Sequence, residues 1–171
     1  MSIAQSLLPE FDYEMQNTRK MLERVPEDKL DYKPDPKSMS LGRLAGHVAE
    51  MASWGAVTLK RDSLDLAGGE FKALTATSRQ QLLAEFDKNV ADSRSALEQT
   101  SDADMMKTWT LFMGAQSLLS MPRVAVFRSM VMNHIIHHRA QLTVYYRLNG
   151  VAVPGMYGPS ADEAMPAGAG N

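Results

Sequence analysis

The chain has 171 residues, 44% of them hydrophobic and 22% charged, which suits one domain with a sizeable core. A formal net charge of −2 with scattered lysines and arginines excludes a basic nucleic-acid surface, and the lack of cysteine excludes disulfides, thiolate ligands and a protein-borne thiol nucleophile. Glu10, Asp12, Glu14, Arg19 and Lys20 interrupt the first 22 residues, and no stretch nears the ~20 apolar residues of a membrane span, so a cytoplasmic protein without membrane contact is expected.

The first helix is predicted from Ile3 to Val25, with Leu7, Leu8, Phe11, Met15, Thr18, Leu22 and Val25 on one stripe. Pro9 is awkward inside it, so the regular turns are expected from near Leu8, and Pro26 ends it. Pro34 and Pro36 then hold an extended connection. A second helix follows Ser38 or Ser40 and runs to about Lys60. Residues 61–77, with Gly68 and Gly69, read as loop. A third helix follows Thr77 or Ser78, with Gln81 placed for a capping box on Ser78, and continues to about Gln99. Residues 105–120 alternate weakly around Gly114 and predict a short strand or hairpin. A fourth helix starts at Pro122 and ends at Asn149, with Gly150 as a left-handed cap. This reading is all-α: an antiparallel four-helix bundle formed by a single domain over 1–160, with a flexible tail over 161–171.

Histidine placement carries the functional signal. Three of the chain's four histidines lie in H-I-I-H-H, residues 134–138, and the fourth is the distant His47. Residues four apart on a helix lie about 40° apart around the axis and about 6 Å along it, so His134 and His138 can converge on one ion from one face. His47 sits between Leu44 and Met51 and points inward from the second helix. Three imidazoles from two helices leave ligand positions open, as catalytic sites do. A set of hydrogen-bonded core histidines is the competing reading, and three unpaired buried polar groups would cost about 1–3 kcal/mol each. His137 lies ~100° from His138; it replaces one of the pair or caps the rim of the site. Ile135 and Ile136 stand where H-E-x-x-H proteins carry their glutamate, which excludes a zincin. Glu50, three residues after His47, is a candidate proton acceptor or partner of that histidine, or else a solvated glutamate. Asn133, Arg139 and Gln141 orient ligands or pack helices, and Trp54 and Tyr145 wall a pocket or fill core.

Three stretches resemble the DinB-like (DinB/YfiT-like) superfamily of metal-dependent enzymes. They are Pro34 to His47, the run Asn133-His-Ile-Ile-His-His-Arg-Ala-Gln-Leu142, and Tyr146 to Pro154 with Tyr157 to Ser160. Ala140 departs from the glycine usual in the second stretch. The resemblance implies a four-helix bundle with up-down-down-up order and a divalent metal on His47, His134 and His138. It also implies a homodimer and use of low-molecular-weight thiols. An ion on neutral imidazoles lowers the pKa of a bound water or thiol, so the expected function is hydrolysis of a small molecule or thiol-dependent S-transfer to one. The other reading is a non-catalytic dimer that binds a metal or small ligand. Zinc or nickel is the expected ion, with iron possible, because all-imidazole sites accept each of them.

Overall fold

Ser2 starts the first helix: its hydroxyl accepts from the Gln5 N–H, and the Gln5 side chain accepts from the Ser2 N–H. In the computed structural model, which describes residues 1–69 and 72–163, this helix (α1) spans Ile3–Leu22 with Pro9 in its interior. It starts at the expected Ile3, its turns are helical before Leu8 as well, and it ends at Leu22, short of the expected Val25. The cap, together with a 2.7 Å bond from the Ile3 N–H to Asp102, holds the turn that precedes the proline.

The expected second helix is two helices, α2 at Leu41–Met51 and α3 at Ser53–Lys60. Ser93 of the next long helix, α4 (Arg79–Gln99), enters the break. Its hydroxyl donates to the Ala52 carbonyl (2.5 Å) and accepts from the Ala56 N–H (2.9 Å). A side chain inserted in the backbone ladder is a recognised cause of such a kink. A short helix, α5 (Asp102–Met105), follows α4.

The all-α expectation is overturned by a three-stranded sheet. Strand β1 (Ser63–Asp65) pairs in parallel with β2 (Thr108–Met113), which pairs antiparallel with β3 (Gln116–Pro122). The β2–β3 loop is two residues long and begins with Gly114 at φ 58°, the placement favoured by type II′ turns. Strand β1 falls in the segment read as loop, because three residues are too short to show alternation and its pairing partner lies far along the chain. The protein is thus a helix-rich mixed fold. Among the described residues, no helix is long and apolar enough to cross a membrane.

Helices α1, α2 and α3 pack on α4, and α2 and α1 pack on α7 (His134–Leu148). Between β3 and α7 lie a short helix, α6 (Arg123–Val126), and a π-helical segment, Phe127–Asn133. Val126 and Val131, and likewise Phe127 and Met132, stand five apart and are all fully buried. An α-helical wheel puts Met132 away from the core; the wider turn brings it in. Gly150, at φ 68°, ends α7 in a Schellman motif, with Val151 N–H bonded to the Tyr146 carbonyl and Gly150 N–H to that of Arg147.

The expected tail begins within the described residues, where Asp162 accepts from the Val153 N–H and pairs with Arg147. From residue 164 onward it lies outside them. The rotation of α7 is set by Arg139, whose guanidinium donates to the Glu14 carboxylate (2.8 Å), the Glu14 carbonyl (3.0 Å) and Thr18 (3.0 Å) on α1. Both charged side chains are more than nine-tenths buried. Arg139→Met leaves the Glu14 carboxylate buried and uncompensated, and the expected loss in urea unfolding is about 3–5 kcal/mol. Replacing Glu14 by Leu in the same chain should restore most of it. A single-variant loss near zero contradicts this anchoring role.

Candidate metal centre

On α2, Arg43, His47 and Glu50 recur at four and then three residues, so they form one stripe along the helix. The carboxylate of Glu50 is where this stripe is fixed. Its Oε1 accepts from His47 Nδ1–H (2.6 Å) and from Arg43 (2.7 Å), and its Oε2 accepts from the Leu74 N–H (2.6 Å). Arg43 also donates to the Leu74 carbonyl at 3.0 Å. Leu74 lies this close because residue 46 is glycine: a Cβ there would stand 2.0 Å from the Leu74 oxygen. Glycine inside a helix costs about 1 kcal/mol relative to alanine, and here the crossing of the chain requires it.

Burial pushes the Glu50 carboxyl up, but the bonds from His47, Leu74 and Arg43 outweigh it and hold the carboxyl below the usual glutamate value. Glu50 is therefore an anion at neutral pH, and a carboxylate only accepts, so the proton of His47 sits on Nδ1. In the neutral ring Nε2 then carries the lone pair.

From α7, His134 and His138 face His47, with ring centroids 5.2 and 4.6 Å from it. The Nε2 atoms of His134 and His138 stand 2.8 Å apart. Burial, then the neighbouring His138 and His47, push the His134 imidazole down to about 4, against the pull of the Met130 carbonyl. Burial also lowers His138, opposed by its bond to Gln141 and reinforced by His47, His137 and Arg43. At this distance either one ring donates its Nε2–H to the lone pair of the other, or a cation stands between two lone pairs. One proton, carried by either ring, satisfies that pair but leaves His47 without a share.

A divalent cation fits the donor set better. The ligand nitrogens of His47, His134 and His138 lie within 4.8 Å of one another, and zinc at ~2.1 Å from each asks for separations of roughly 3.4 Å. Binding would displace the proton held between His134 and His138. The group could hold a metal ion; the donor chemistry leaves the ion's identity open.

The chain as a whole is similar to known proteins. The model of the DinB family matches residues 1–168. The chain belongs to the DinB family. It is similar to an uncharacterized protein of Bacillus subtilis (strain 168), YrdA, at 28% identity over 156 residues, which covers 91% of this chain and 89% of the relative. The crystal structure of a DinB-like protein from Bacillus cereus ATCC 10987 superposes with a TM-score of 0.71 at 27% identity, covering 91% of this chain and 98% of that one. A DinB-like protein of B. subtilis, YjoA, superposes with a TM-score of 0.70 at 20% identity over 91% of this chain and 99% of its own, a likeness of fold.

The structure brings together the three histidines that the sequence nominates for a DinB-type site. His137 stays exposed beside His138, their ring centroids 4.9 Å apart, and is outside the ligand group. Glu50 contacts His47 rather than solvent. Arg139 faces α1, away from the site, and Asn133 is exposed. Tyr145 lines a cavity of about 380 Å³ together with His138, Gln141, Leu44, Val144 and the loop residues Lys37, Ser38 and Met39. Trp54 is buried and does not line it. Sequence reasoning missed Arg43 and the Leu74 backbone. The i, i+4, i+7 stripe through Arg43 and the glycine at 46 were the available signals.

Gly46→Ala forces the Leu74 backbone away from α2, and the expected cost is about 1–3 kcal/mol in urea unfolding. A variant as stable as the parent contradicts this crossing.

Proposed function

We propose that this DinB-family protein is a divalent-metal-dependent enzyme, with His47, His134 and His138 as ligands, acting on a small molecule seated in the cavity beside His138. One observation carries the reading. Three imidazole nitrogens from two helices converge within 4.8 Å, and one of those imidazoles is also a wall of an open cavity large enough for a small substrate.

A divalent ion held there supplies Lewis acidity and lowers the pKa of a thiol or water that reaches it. The chain's own residues supply the rest. Neutral imidazoles leave the ion's full charge in place. Glu50 keeps His47 in the tautomer that presents Nε2, and because all three of its donors are protein groups, it acts as a positioning residue. Met39, Leu44, Val144 and Tyr145 form an apolar wall for the body of a substrate, with Lys37 and Ser38 also lining the cavity.

None of the lining residues carries a carboxylate. Hydrolysis ordinarily uses a positioned acid or base for proton transfer. In thiol transfer the thiol loses its proton to solvent through the open mouth, and the thiolate forms a C–S bond as the electrophilic carbon's bond to its leaving group breaks, the leaving group departing with the bonding pair. Lys37 and Tyr145 line the cavity as possible proton carriers for either reaction, and in the S-transfer version a low-molecular-weight thiol supplies the sulfur that a cysteine-free chain lacks.

Protein purified without added metal or a histidine tag is expected to hold about one divalent ion per chain, zinc or nickel, and His47→Ala and His138→Ala variants to lose it. The loaded protein should consume a small thiol in the presence of a soft electrophile, and the variants should not. Absence of metal, or equal uptake by parent and variants, overturns the proposal. Metal uptake without thiol consumption overturns its S-transfer half.

A further inference from the structure

His137 and Gln141 have no part in the ligand group, yet each touches it in an ordered way. Gln141 lies three residues after His138 and four after His137 on α7, so its amide reaches both rings. Its Oε1 stands 2.7 Å from His138 Nδ1, and its Nε2 stands 3.1 Å from His137 Nε2. As the amide is placed, its oxygen faces His138 and its nitrogen faces His137. The amide oxygen can only accept, so His138 Nδ1 carries the proton. The amide nitrogen can only donate, so His137 Nε2 accepts and its proton sits on Nδ1.

We infer that Gln141 is a positioning residue that holds His138 in the Nδ1–H tautomer, with His137 accepting from the other end of the Gln141 amide. A reversed amide would aim its NH2 at His138 Nδ1, drive the His138 proton onto Nε2 and remove the lone pair that faces His134 and His47. On α2 the same task falls to Glu50, which accepts from His47 Nδ1–H. The two halves of the site are thus built alike: an acceptor three residues after the histidine fixes the ring, one a carboxylate and the other an amide. The amide is the acceptor that can point the wrong way, and it is the one with a further histidine beside it.

The inference rests on the proposed metal site for its consequence and on the metal-free protein for its test. Uniformly 15N-labelled protein treated with chelator, at a pH where the histidines are neutral, reports each ring's tautomer in long-range 1H–15N correlation spectra. The parent is expected to show His138 as the Nδ1–H form. Gln141→Leu, at an exposed position where the fold tolerates it, should shift His138 toward the Nε2–H form and weaken zinc binding roughly 10- to 100-fold. Gln141→Glu restores an acceptor and should restore both readouts.

A parent protein with His138 protonated on Nε2 overturns the inference. So does a Gln141→Leu variant that keeps the Nδ1–H form, whatever its affinity for zinc. Failure of the metal proposal is distinguishable: the parent then binds no zinc while the tautomer pattern in metal-free protein still decides the role of Gln141.

Discussion

A carboxylate taken out of water costs several kcal/mol unless its lone pairs are filled, and Glu50 fills them with an imidazole, a guanidinium and a backbone amide. Those three donors come from two turns of α2 and from a loop that crosses it, so the one anion fixes ring, helix and loop together. Remove it and His47 loses the acceptor that sets its tautomer, Arg43 its carboxylate partner, and the Leu74 N–H its acceptor. The rest of the site depends on this constraint, because a ligand nitrogen must be both unprotonated and aimed.

The other half of the site is aimed by distant contacts. His134 and His138 sit on α7, whose rotation is locked at Arg139 through the buried pair with Glu14 on α1. Adjacent residues on a helix diverge by ~100°, so Arg139 can hold α1 while His138 looks toward α2. The π-helical segment before His134 adds to this setting. Its wider turns bury Val131 and Met132 under the same core that holds Phe127, and α7 emerges with its histidines facing His47. Tyr157, which bonds to both Arg139 and Glu14, ties the chain's closing segment to the same anchor.

Much of the site could be read from the sequence because it is written in short spacings. The i, i+4 pair of His134 and His138 and the i, i+3 pair of His47 and Glu50 follow from helical geometry alone. The meeting of the two pairs is a long-range event; at the sequence level it rested on the apolar neighbours of His47 and on likeness to a family. The fold was less legible. The capped starts at Ser40 and Ser78 and the Gly150 stop obey local rules, and the structure has them. Strand β1 obeys none: three residues, a parallel partner more than forty positions away, and two glycines soon after. The break at Ala52 was invisible for the same reason, since its cause is a serine on another helix. Arg139 reads from the sequence as a residue that orients ligands or packs helices, but its partner Glu14 reads only as one of the charges of the first helix, because their pairing depends on α1 and α7 meeting.

The proposed centre stands on three imidazoles converging on one ion. X-ray absorption at the K-edge of the metal, on protein loaded with one equivalent of zinc, measures that most directly. Three imidazole nitrogens at about 2.0–2.1 Å, with their outer-ring scattering, are the predicted first shell. A shell of oxygen atoms, or one with fewer than three imidazoles, contradicts the claim.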